Sequence, residues 1–391
     1  MRQLHPETLA IRLQTERTQH REHATPLFNT SSFVFDNAEQ MRALFADEEE
    51  GNIYSRFSNP NVREFETKMA MLEGLDDAFA TATGMAAVFA GFAGLLSSGD
   101  HILASRALFG SSYTILTQVL PRFGITHTMV DPAAPETWDA AILPSTRMFF
   151  VETPSNPGLT LVDLEAAGAL AKRHDLILNV DNCFATPVLQ NPATFGAHLV
   201  THSATKFIDG QGRVLGGVVI GGKDHVAAIR KFCRNTGPAL SPFNAWVLSK
   251  SLETLFVRMD RHCDNAEALA RHFIDHADLI SVNYPFLDAH PQYELARRQM
   301  KRGGGLVTME LKGGVDRGRT FLDSLELLSL SANLGDSRTI ATHPASTTHS
   351  KLTEAQRLEA GITPGLVRIS VGLEHVDDVI ADIEQALASS R

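Results

Sequence analysis

The run His202-Ser203-Ala204-Thr205-Lys206-Phe207 places a lysine directly behind two hydroxyl residues, at the end of the β-branched stretch Leu199-Val200-Thr201. A lysine so placed can hold an aldehyde cofactor as a Schiff base while the hydroxyls of Ser203 and Thr205 hydrogen-bond a phosphate. Upstream, the apolar run Leu176-Ile177-Leu178-Asn179-Val180 ends in Asp181. A carboxylate at a strand end is what a pyridinium nitrogen needs as a partner. Together the two sites suit pyridoxal 5'-phosphate.

Each feature alone has a plainer reading. Strand-terminal aspartates are common, and a Ser/Thr-rich turn before a lysine is often a solvated loop. Ser203-Ala204-Thr205-Lys206 also matches the S-x-x-K pattern of penicillin-binding proteins and class A β-lactamases, in which the serine opens a helix and attacks an acyl group. Here Phe207-Ile208-Asp209-Gly210 follows, and Gly212, Gly216 and Gly217 crowd the next turn. That argues against a long helix from Ser203, and the chain contains no K-T-G triplet. Thr83-Gly84-Met85-Ala86-Ala87 reads as a strand-to-helix turn, where unpaired N–H groups and the helix dipole make an anion site. Tyr54-Ser55-Arg56-Phe57-Ser58-Asn59-Pro60 puts a tyrosine and an arginine in a loop; by themselves they read as surface residues.

In this order the motifs resemble those of the Cys/Met-metabolism family of pyridoxal-phosphate enzymes, of the aspartate-aminotransferase fold type. The resemblance runs from about Thr25 to the C-terminus. It is carried by Tyr54-Ser55-Arg56, Thr83-Gly84-Met85-Ala86-Ala87, Glu152-Thr153-Pro154-Ser155-Asn156-Pro157, Val180-Asp181-Asn182, His202 to Lys206, and Val367-Arg368-Ile369-Ser370. It implies that Lys206 carries the cofactor, Asp181 pairs with the ring nitrogen and Asn156 bonds the ring hydroxyl. The N–H groups of Gly84 and Met85, with Ser203 and Thr205, would bind the phosphate. Tyr54 and Arg56 would reach the phosphate of a neighbouring subunit, so sites would be shared across a dimer, and two dimers would make a homotetramer. Arg368 would hold the substrate carboxylate by a bidentate contact, which its planar fork suits.

Two departures from the family pattern bear on activity. Leu108-Phe109-Gly110-Ser111-Ser112 stands where a tyrosine-containing motif is usual. Phe109 can stack on the cofactor but has no proton to give, which leaves Lys206 or Tyr54 as proton carriers. Ser111 stands where methionine γ-lyases typically carry a cysteine. Asn333-Leu334-Gly335-Asp336 replaces the serine and later glutamate of cystathionine enzymes, which favours a small sulfur nucleophile and puts Asn333 at the substrate. That run, the glycine-rich stretch from Lys206 to Gly217, and the segment from Thr342 to His349 resemble bacterial O-succinylhomoserine sulfhydrylases, a branch of the family. The implied reaction is γ-replacement on O-succinylhomoserine by sulfide. The runner-up readings are cystathionine γ-synthase, O-acetylhomoserine sulfhydrylase and a γ-lyase.

The elements that must position these residues alternate in type. Strands are expected at 77–81, 101–104, 148–152, 176–180, 199–201 and 218–220, with helices at 65–72, 85–96 and 164–174 between them. This rhythm predicts an α/β fold with a mainly parallel sheet covered on both faces; the family resemblance implies seven strands. A long helical stretch at 244–270 bridges to strands at 306–310, 326–330 and 366–371 and a last helix at 376–387, a smaller α+β part. The divisions are an extended N-terminal arm at 1–57, the cofactor-binding part at 58–243 and the C-terminal part at 244–391.

The chain has 391 residues, ample for two domains. Its 45 acidic and 35 basic residues give a net charge of −10, against a nucleic-acid or anionic-membrane surface. No segment approaches the ~20 apolar residues of a membrane span. Residues 1–21 are polar, with no signal-peptide core. Cys183, Cys233 and Cys263 are widely spaced, neither a disulfide framework nor a zinc site, which suits a reducing cytoplasm. Of the histidines, His343 and His349 come closest to a metal pair but lie in a Pro/Ser/Thr-rich loop without H-E-x-x-H. No metal is expected.

Overall fold

The apolar runs between residues 77 and 221 assemble into one sheet in this computed structural model, which describes residues 4–348, 350, 353–359 and 361–391. Its strands are β1 (Asp77–Thr81), β2 (His101–Ser105), β3 (Thr126–Val130), β4 (Thr146–Glu152), β5 (Ile177–Asp181), β6 (Leu199–Ser203) and β7 (Gly217–Gly221). They lie in the order β1-β7-β6-β5-β4-β2-β3. Neighbours from β3 through β6 are parallel, and β7 runs against both β1 and β6. Both faces are covered, which is why the strands read as continuous apolar runs. Along β4, Phe149 and Val151 enter one core while Met148 and Phe150 enter the other. β3 escaped the sequence pattern because Thr-His-Thr-Met-Val sits at the sheet edge, half exposed, with little to bury.

Helices approach this sheet with well-formed starts. In the arm, helices α1 (Pro6–Arg12) and α2 (Ala38–Phe45) interrupt the extended course that was expected. Helix α3 (Pro60–Glu73) opens with Pro60 in its first turn and the Asn59 side chain accepting from the Asn61 N–H. Helix α4 (Gly84–Ala93) is capped by Thr83, whose Oγ1 accepts from the Ala86 N–H at 3.1 Å.

A second sheet follows, in the order β10-β11-β12-β9-β8, with β8 (Leu279–Asn283), β9 (Leu306–Leu311), β10 (Ser329–Leu330), β11 (Ile340–Thr342) and β12 (Leu366–Ser370). The strand expected at 326–330 shrinks to its last two residues. The N–H groups of Glu326, Leu327 and Leu328 donate to the Asp382 carboxylate, each at 2.9 Å, and not to a neighbouring strand. The single helix expected over 244–270 is two, Pro242–Leu252 and Leu255–Phe273. Tightened bonds from Glu253 N to Lys250 O and Thr254 N to Ser251 O end the first, and neither Pro nor Gly marks the break. The second helix does bridge the two sheets: Leu255, Met259 and Cys263 enter the first core, Leu269 and Phe273 the second. Among the described residues, no helix is long and apolar enough to cross a membrane.

Candidate active site

The carboxyl ends of β4, β5 and β6, the start of α4 and the loop after β10 enclose a cavity of about 350 Å³. Strand alternation sends Asp181 and Ser203 to the same face, the one packed by α4. That packing is close: a Cβ on Gly84 would lie 2.5 Å from the Ser203 Cβ and 2.8 Å from its Cα. The N–H groups of Gly84 and Met85 open α4 beside this contact, at the positive end of its dipole. The Thr205 hydroxyl is held by Gly216, giving to its O at 3.3 Å and accepting from its N–H at 3.1 Å. Ser203 ends a strand and 204–209 is a turn, so no helix opens at the S-x-x-K serine.

Lys206 extends into the cavity and donates to the Asn333 Oδ1 at 2.6 Å. Burial lowers its pKa from the usual lysine range, and the Arg368 charge lowers it further, which favours the neutral, nucleophilic amine. Gly335 lets the Asn333 loop press on the lysine turn, since a Cβ there would lie 2.5 Å from the Phe207 N. Asp181 accepts from the Cys183 N–H at 3.1 Å. Burial raises it to about 6, against the opposing charge of His202 and that N–H.

Arg368, only 5% exposed, gives to the Asn156 Oδ1 at 2.8 Å and to the Asn333 carbonyl at 3.1 Å. Its Nε is buried and has no partner among the described residues. A buried guanidinium with an open donor is suited to a carboxylate. Burial lowers its pKa to about 10, still cationic at neutral pH. With its oxygen turned to Arg368, Asn156 keeps its amide N–H₂ for an acceptor in the cavity. Phe109 lines the mouth, 40% exposed.

Not every expected residue lies in this cavity. Tyr54 is 39% exposed and outside the lining; the Arg56 guanidinium stacks on Phe57 and Tyr54 and bonds the Arg234 carbonyl. His343 is a buried structural residue bonded to Ser346 and the Pro364 carbonyl, whereas His349 lies outside the described residues. In the sequence Glu152 stands out only as one member of a motif, yet it is central. It ends β4 in register with Asp181 on β5, and its two oxygens accept from the Phe109 N–H at 2.7 Å and the Asn156 N–H at 3.1 Å. Burial, then the Asp181 charge, raise it well above the usual carboxyl range, opposed by those two N–H groups. Strand pairing reveals this role; linear spacing does not.

The residues fit pyridoxal phosphate: an amine, a strand-end carboxylate and a helix-start anion cradle around one cavity. A mostly parallel sheet with this site at its carboxyl edge defines a pyridoxal-phosphate-dependent enzyme. More narrowly, the chain belongs to the Cys/Met metabolism PLP-dependent enzyme family, whose model matches residues 7–388. It is 46% identical over 383 residues to an O-succinylhomoserine sulfhydrylase of Pseudomonas aeruginosa, covering 98% of this chain and 95% of that one. It is 42% identical over 369 residues to an L-methionine gamma-lyase of Porphyromonas gingivalis, covering 94% and 92%. A Campylobacter jejuni structure containing N'-pyridoxyl-lysine-5'-monophosphate superposes with a TM-score of 0.95 at 34% identity, covering 99% of this chain and 100% of that one.

Proposed function

We propose that this chain converts O-succinyl-L-homoserine and sulfide to L-homocysteine and succinate. The observation that carries the choice is Phe109 at the cavity mouth. A thiolate leaving group benefits from an acid, and this ring offers none; a carboxylate departs without one. Ser111 in the lining, where a cysteine is typical of methionine γ-lyases, and the relative at 46% identity support the same reading. The gamma-lyase at 42% keeps that activity as the second reading.

When bound, pyridoxal phosphate withdraws electrons from the substrate and acidifies its α- and β-protons. Lys206 would carry the cofactor and give it up to the substrate amine; its freed amine then takes the proton from Cα and, once that proton has been handed on, one from Cβ. Asp181 keeps the ring nitrogen protonated. Arg368 grips the α-carboxylate, fixing which bond at Cα faces the Lys206 amine, and Asn333 receives that amine when it is free. The γ-oxygen leaves with succinate, sulfide adds at Cγ, and Lys206 returns the protons. Ser203, Thr205, Gly84 and Met85 hold the phosphate.

The test is a comparison of O-succinyl- and O-acetylhomoserine, each with sulfide or cysteine, with the thiol product identified. Homocysteine from the succinyl ester and sulfide is expected to form fastest. Rapid cystathionine from cysteine, or methanethiol from methionine at a similar rate, would replace this reading.

A further inference from the structure

On the face of the sheet turned away from the cavity lies a polar cluster that the proposed chemistry does not use. Glu73, at the end of α3, and His202, in β6, are both fully buried and meet at 2.6 Å between Oε1 and Nε2. The same Oε1 accepts from the Asn182 Nδ2 at 2.9 Å. Gln190 extends the cluster, giving to the Asn182 Oδ1 at 3.0 Å and the Thr153 carbonyl at 2.9 Å. Each segment tied in this way also carries a cavity residue. His202 precedes Ser203, Asn182 follows Asp181, and Thr153 follows Glu152. One carboxylate oxygen therefore spans the lysine turn and the end of β5.

Glu73 Oε2 and His202 Nδ1 are buried with no partner among the described residues. A core that left these atoms unpaired for packing alone would be less stable than an apolar one of the same shape. Positioning supplies a reason. A pyridine ring is rigid, so its nitrogen and its phosphate can both be engaged only if Asp181 and the Ser203–Lys206 turn are correctly spaced. Around Asp181 stand Glu152 from β4 and Cys183, with Lys206 lining the same cavity, and the charge of His202 acts on it from the opposite face of β6.

We propose that Glu73 is a positioning residue for the cofactor, acting through His202 and Asn182 to fix the spacing and charge beneath Asp181. The proposal rests on bound pyridoxal phosphate alone and is independent of which ester or thiol the enzyme uses.

The experiment compares wild-type holoenzyme with Glu73→Gln and with Glu73→Gln/His202→Gln. It reads the rate of cofactor release into cofactor-free buffer, the pH midpoint of the cofactor's absorbance, and the melting temperature after release. Glu73→Gln keeps an acceptor for Asn182 but no charge. Release about tenfold faster is expected, the scale of one charged hydrogen bond, together with a moved pH midpoint. The double variant, whose paired amides can satisfy one another, is expected to recover melting temperature but not slow release. Wild-type release and midpoint in either variant would overturn the proposal and leave the pair a folding element. If Glu73→Gln fails to fold, Glu73→Asp, which withdraws the charge by one methylene, is read in the same way. A wild-type protein that never held the cofactor would instead sink the cofactor assignment.

Discussion

Glu152 and Asp181 end neighbouring parallel strands in register, so two carboxyl groups share one buried cavity. Like charges so placed resist joint ionisation, and burial raises both. Asp181 reaches about 6, above its value in an unfolded chain. The cofactor-free fold therefore binds that proton more tightly than the unfolded chain does. This carboxyl favours folding at low pH, and the advantage is lost as pH rises from about 4 to about 6. A cationic ring nitrogen compensates the ionised form, so the stabilisation given by bound cofactor grows through the same window. The melting-temperature gap between loaded and cofactor-free protein is accordingly expected to widen from about pH 4 to about pH 6 and then to level off, and to widen much less in Asp181→Asn. Calorimetry across that range checks it, and an equal gap at every pH in the wild type would contradict it.

At the scale of elements, the site depends on how closely α4 meets β6. Gly84→Ala would put a Cβ against the backbone of Ser203, which cannot swing aside as a flexible side chain would. Overpacking of that kind costs about 1–3 kcal/mol, and the strain falls on the phosphate cradle itself. Cofactor affinity is expected to fall at least about tenfold, measured by titrating cofactor-free protein and following absorbance; unchanged affinity would place the phosphate elsewhere. This contact was only half legible in the sequence. Thr83-Gly84 announced a turn and a cap, because those residue types have local reasons to be there, but the partner of Gly84 lies 119 residues away. The same distinction runs through the fold. The central strands were legible because burial on both faces leaves long apolar runs, whereas β3 and β8 are edge strands with mixed faces and β11 is only three residues long. The capture of residues 326–328 by Asp382 depends on a tertiary partner, which no local pattern encodes, and the break at Glu253–Thr254 is a local tightening that no Pro or Gly announces. Lys206, Asp181 and Arg368 stood in readable motifs, and the structure gathers them around one cavity. Glu152 and Glu73 became visible only once the strands were paired.

At the scale of the whole molecule, the arm raises the question of what its exposed apolar surface meets. Val34 is 98% exposed, and Met41 and Phe45 are also open to solvent. Tyr54 and Arg56 lie outside the cavity of their own chain. The family resemblance implies that they complete the phosphate site of a second copy, and we propose that the apolar arm is covered in that assembly. Such sharing makes a prediction that a self-sufficient chain does not. Lys206→Ala removes the amine and Arg56→Ala removes the donated guanidinium, so each variant alone is expected to be nearly inactive. In a hybrid dimer both lesions fall in one site and the other site is whole. Random mixing makes half the dimers hybrid with one good site in two, so activity should return to about a quarter of wild type. The measurement is steady-state turnover after the two variants are unfolded together and refolded, against each refolded separately. Recovery only to the mean of the separate controls would show that each chain builds its site alone, and that Tyr54 and Arg56 act within it or not at all.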